Sequence, residues 1–156
     1  MLRRLIGAIA FVLAVAGPAF AADTPTSSPA APAVDADLAT ARARIDASDW
    51  TGATEILQKA VARDSGNADY HNLLAYSIRK GPNPNMDLVF KHYAEALRID
   101  PKHRDAHEYI GEAYLMVGNV GKAKEHLAAL NKLCFLPCGQ FRDLKRDIER
   151  YEATKK

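Results

Sequence analysis

The sequence predicts an all-α chain, a helical solenoid of about three helix-turn-helix units closed by a capping helix at the C-terminal end. Small residues recur at a fixed interval, with Ala41, Ala75 and Gly111 separated by 34 and 36 residues and Ala53, Val89 and Ala123 by 36 and 34. Ala60, Ala96 and Leu130 keep the same rhythm, so one structural unit is repeated. The long segments between turn residues carry their apolar residues at helical spacing, which excludes a sheet. The two extra residues of the middle unit fall in one long turn, Gly81-Pro82-Asn83-Pro84-Asn85.

Before the repeats, Arg3 and Arg4 precede an apolar run from Leu5 to Ala16, then Gly17-Pro18 and the small-residue site Ala19-Phe20-Ala21. This is the pattern of a secretory signal over residues 1–21, cleaved after Ala21. The run is shorter than the roughly 20 apolar residues a membrane span needs. No cysteine follows it for lipid attachment, so the expected mature chain is soluble, periplasmic and without stable membrane insertion. Residues 22–34 are Ala, Pro, Ser and Thr with few others, and read as a disordered spacer. Loss of Arg3 and Arg4 leaves 19 basic residues against 19 acidic ones. A neutral chain without a basic block lacks the footprint of a nucleic-acid binder.

The folded part is expected over residues 35–153, with units at about 34–67, 68–103 and 104–137. Helices are predicted at 36–47, 51–63, 68–80, 86–98, 104–117 and 120–133. Ser48-Asp49, Asn85 and Gly118-Asn119 supply the turns and caps between the helices of each unit. Small residues at the crossings let antiparallel helices approach, while Leu57, Tyr93, Tyr114 and Leu127 fill the flanking space. The last helix, 139–153, carries Phe141, Leu144, Ile148 and Tyr151 on one stripe and Arg142, Lys145, Arg146, Asp147 and Glu149 elsewhere. It is expected to cover the exposed end of the stack, as a short solenoid requires.

The third unit reads His107-x2-Ile110-Gly111-x2-Tyr114 and then Ala123-x3-Leu127; the second reads His71-x2-Leu74-Ala75-x2-Ile78, Val89-x3-Tyr93, Ala96 and Asp100-Pro101. In these positions the chain resembles the tetratricopeptide repeat (TPR) family over roughly residues 35–135. The first unit departs from the pattern, with Asp37 and Arg44 where large apolar residues are usual, as a terminal unit can. The resemblance implies a right-handed superhelix whose first helices line a concave groove for a protein or peptide partner. It carries the groove positions to Leu38 and Arg42, Asn72 and Tyr76, and Glu108 and Glu112. With Arg79 added, the groove is expected to be basic towards the first unit, at Arg42 and Arg79, and acidic towards the third. Tyr76 is the expected apolar anchor.

Cys134 and Cys138 are the only two cysteines. In an exported chain such a pair is a disulfide by default. A redox dithiol or a Cu(I) site remains the alternative, and the spacing is also similar to the copper-binding Cys-x3-Cys of cytochrome oxidase assembly factors. The histidines are read as repeat-encoded residues, because His71 and His107 share one repeat position and His92 and His126 another, on helices whose axes lie 8–10 Å apart. His107-Glu108-Tyr109-Ile110-Gly111 starts like a zinc-protease helix but has Gly111 in place of the second histidine. Gly118-x2-Gly121 follows no strand, and no Gly-x-Ser-x-Gly is present. The sequence therefore predicts no catalytic residue, no resident metal and no cofactor. It predicts an adaptor that binds a protein or peptide, with a metal- or thiol-handling accessory role for Cys134 and Cys138 as the rival.

Overall fold

A computed structural model of the chain describes residues 35–155. The expected signal at 1–21 and spacer at 22–34 lie outside the described residues. The described part holds seven helices and no strand: α1 Ala36–Asp46, α2 Trp50–Arg63, α3 Ala68–Lys80, α4 Met86–Ile99, α5 Arg104–Met116, α6 Val120–Leu133 and α7 Gly139–Ala153. Each predicted helix end lies within one residue of the observed one.

Local chemistry sets these boundaries. The side chains of Asp35, Asp49, Asn67, Asn85, His103 and Asn119 each accept a hydrogen bond from a first-turn backbone N–H of the helix that follows. That satisfies donors the helix itself leaves unpaired. Ser48 and Gly118 occupy the same repeat position, and both adopt positive φ, 57° and 79°. Glycine takes this conformation freely; serine does so at a cost.

The helices pack in pairs, α1 with α2, α3 with α4 and α5 with α6, and each pair packs on the next. The odd-numbered helices also contact one another in sequence, α1 with α3, α3 with α5 and α5 with α7. They form one continuous row. Ala41, Ala53, Ala60, Ala75, Ala96, Ala106, Ala113 and Ala123 are fully buried at the contacts, and Leu57, Tyr93, Leu130 and Leu144 fill the spaces between them. Tyr114 and Leu127 are only partly buried, packed against the edges of this core.

Along the N-terminal ends of the odd-numbered helices runs a ladder of side-chain bonds, each spanning about one repeat. Tyr70 Oη donates to Asp35 (2.7 Å), His103 Nε2 to Asp69 (3.2 Å) and Gln140 Nε2 to Asp105 (2.7 Å). In the first unit the two polar departures from the repeat pattern both find partners: Asp37 with Arg63 of α2, and Arg44 with Asp49 at 2.8 Å.

α7 lies against α5 and α6 in the place a fourth unit's first helix would take, and buries Leu144 and Ile148. Cys134 and Cys138 are joined by a disulfide across the preceding turn. Arg142 donates to the Pro137 carbonyl from inside α7. Between the two sulfurs, Phe135 and Leu136 point into solvent.

A Cβ at Gly111 would come within 2.6 Å of Leu144 Cδ2, so the α5–α7 contact needs a residue without a side chain there. Gly111→Val is expected to lower stability by about 1–3 kcal/mol, measured by urea unfolding, with Gly66→Val on an exposed turn as control. Replacing both cysteines with Ser should cost no more than about 2 kcal/mol, because the loop they close is short. The same unfolding experiment, with and without reductant, checks it.

Candidate functional site

The row of odd-numbered helices brings the residues expected to line a groove onto one layer, where they do different jobs. Leu38 packs against the first core cluster and Arg42 stays exposed, 3.9 Å from Asp69. Tyr76 is the centre of an aromatic strip. Its ring lies 4.8 Å from that of Tyr109 and 6.1 Å edge-on to that of Trp50. The Arg79 guanidinium sits over both tyrosines, 5.4 Å from Tyr76 and 5.9 Å from Tyr109, a favourable contact of a cation with two aromatic faces.

Arg79 does not form a basic pole of the groove. Its side chain is buried, donates through Nε to Tyr93 Oη at 3.3 Å and through Nη2 to Glu112 at 2.7 Å, and points Nη1 at the Met116 sulfur. The expected separation of Arg79 from Glu112 is thus replaced by an ion pair between them. A buried guanidinium requires such a partner, and α3 and α5 supply it across their contact. Beyond this pair a cleft of about 400 Å³ opens between α5 and α7, with Met116 and Tyr151 on its walls.

Two polar groups on the same layer are buried. Asn72 is 1% exposed, and its Oδ1 accepts no hydrogen bond among the described residues. Glu108 is 9% exposed. Burial pushes its carboxyl up to about 8, with Glu112, Asp143, Asp105 and Asp147 adding to the shift. Orphaned buried polar groups are rare and costly in folded chains.

In the second and third units, one histidine of the first helix meets one of the second. His71 Nδ1 lies 3.0 Å from His92 Nδ1, and His107 Nδ1 lies 3.0 Å from His126 Nδ1. Burial, then the partner imidazole, lowers the pKa of His126 to about 4, and the same causes lower that of His92. Comparing His71 with His107 across units conceals this pairing. The signal was present in the intervals His71–His92 and His107–His126, which join the two helices of one unit. Trp50 and Tyr109 were likewise missed, because neither falls on a groove position of the repeat. Among the described residues no group of three or more His, Cys, Asp or Glu side chains is placed to hold a metal ion. With the disulfide closed, Cys134 and Cys138 offer no free thiol.

No family model matches the sequence, and no curated protein matches it. Solved structures do match the fold. The type III secretion translocator chaperone SycD of Yersinia enterocolitica is similar at a TM-score of 0.67 and 15% identity, over 76% of this chain and 83% of that one. An alternative dimer of SycD gives 0.64 at 16% identity, over 77% and 92%. SycD in complex with a peptide of the translocator YopD gives 0.63 at 15%, over 77% and 92%. The fold is therefore a TPR-like helical repeat.

Glu108 gives a test of the strain in this layer. Its carboxyl titrates above the usual 4.5, so between about 4.5 and 8 the folded protein holds a proton that the unfolded chain releases. The stability associated with that proton is full at low pH and is lost as pH rises through the folded value. Glu108→Gln is expected to be more stable than the parent by about 1–3 kcal/mol at pH 8 and equal to it near pH 4, measured by unfolding at the two pH values.

Proposed function

We propose that the chain is a non-catalytic periplasmic scaffold that holds a segment of another protein along the odd-numbered helices. The observation that carries this reading is the half-buried aromatic strip Trp50–Tyr76–Tyr109, in one layer with the unpartnered Asn72 Oδ1 and the buried carboxyl of Glu108. Aromatic side chains contribute large apolar area at low entropic cost, and buried polar groups without partners are what a ligand's donors can satisfy. The SycD structure with a YopD peptide supports a peptide as the occupant, since a similar fold takes one.

The charge pattern refines the partner. With Arg79 paired to Glu112, Arg42 to Asp69, and Asp143 and Asp147 to Arg146 and Arg150, Glu108 is the acidic group of this layer without an ion pair among the described residues. The bound segment places a basic side chain towards Glu108, because complementary charge sets orientation. A cation at Glu108 lets its proton leave and removes the penalty of the buried carboxyl.

The experiment is site-specific photo-crosslinking in the native periplasm, with the photoreactive residue at Tyr76, and at Ala94 on the exposed side of α4 as control. A discrete adduct is expected from position 76 and not from 94. Tyr76→Ala, verified as folded, should weaken binding of the captured protein by at least about tenfold. Equal crosslinking from both positions, or unchanged affinity in the variant, would move the binding surface to the even-numbered helices.

A further inference from the structure

The two histidine pairs lie outside the proposed groove, and packing alone does not account for them. Their ring centroids are 5.2 Å apart in both pairs while the facing nitrogens are 3.0 Å apart, so each pair meets nearly in line, nitrogen to nitrogen. The far nitrogen of the first-helix histidine faces a backbone carbonyl: His71 Nε2 that of Ser65 at 3.2 Å, and His107 Nε2 that of Pro101 at 3.1 Å. A carbonyl only accepts, so Nε2 carries the proton and Nδ1 presents a bare lone pair to its partner. A ring nitrogen oriented by a carbonyl on its other nitrogen is the usual support of a metal-ligating histidine. The same arrangement occurs in two successive units. The first unit has Asp37 and Ile56 at the equivalent positions and folds without it.

We propose that each pair, His71 with His92 and His107 with His126, binds one monovalent coinage-metal ion, Cu(I) or Ag(I), in two-coordinate geometry. The ion takes the place of the single proton held between the two Nδ1 atoms, which moves through solvent to Nε2 of the second-helix histidine. Both rings stay neutral, no net proton is released and no oxidation state changes. A metal–imidazole bond of about 2.0 Å places in-line donors about 4 Å apart, so each pair opens by roughly 1 Å on binding. Ions that need four or six ligands are disfavoured, since the lone pairs face each other and no third ligating side chain joins either pair. Glu95 lies near the first pair and Glu125 near the second, with Lys91 and Lys122 as the opposing charges. Tyr114 stacks on His126 at 5.7 Å and holds its ring plane.

The test titrates Ag(I) nitrate into the mature chain carrying Cys134→Ser and Cys138→Ser, which removes every sulfur but those of methionine. Stoichiometry is read by native mass spectrometry and the ligating atoms by the ¹⁵N shifts of the histidine rings. Two ions per chain are expected, with coordination at Nδ1. One ion should remain in His92→Phe or in His126→Phe, and none in the double variant, whose affinity should fall at least about 100-fold. His92→Gln and His126→Gln serve as second variants if the phenylalanines disturb folding, judged by helical circular dichroism. The proposal is overturned if the parent binds no ion, if the double variants bind as many as the parent, or if the shifts place silver at Nε2 or on methionine alone.

Discussion

How closely neighbouring helices can approach governs everything else in this chain. No helix here buries enough surface by itself, and each obtains its core from the helices before and after it. That exchange works only where the backbone axes come close, and Ala41, Ala75, Ala96, Ala106, Ala113 and Gly111 are the residues that permit it. Once the spacing is set, larger side chains have defined gaps to fill, and Tyr93 can reach far enough to place its hydroxyl against Arg79. The Arg79–Glu112 pair, the aromatic strip and the buried Glu108 are all consequences of that spacing. A larger residue at one crossing would act on the groove through the core.

The architecture was legible because its determinants are local and repeated. A 34-residue interval between small residues, turn residues at Asp49, Asn85 and Asn119, and one apolar stripe on the last helix locate all seven helices. The site was less legible, since its properties arise where different units meet. Arg79 and Glu112 look in sequence like two poles of a surface and are in fact one buried pair, joined across 33 positions. Asn72 and Glu108 sit where groove residues were expected, yet nothing in their own repeats shows that they are buried, or that Asn72 Oδ1 is left without a partner. Position in the repeat assigns a side chain to a face. What that face meets depends on the neighbouring unit.

The first unit shows how a terminal repeat departs from its consensus without loss of order. Asp37 and Arg44 cannot join a core, and both are used instead as ion-pair partners, with Arg63 and Asp49. Exposed pairs of this kind contribute little stability. They keep the end of the stack polar, which suits a surface with no further unit to cover it. At the other end α7 solves the same problem with an apolar stripe facing inward and charged residues facing out, and the disulfide fixes where it begins.

The ladder from Asp35 to Tyr70, Asp69 to His103 and Asp105 to Gln140 also bears on how the chain folds. Each of its bonds joins residues only 34 or 35 positions apart, and the helix contacts are likewise confined to near neighbours in the chain. Such a topology has low contact order, so loop closure is inexpensive and folding is fast. Order can therefore spread along the chain unit by unit, each completed pair of helices offering the next a surface and a waiting carboxylate. A chain delivered from its N-terminus would never need to hold its later segments apart while its earlier ones found their place.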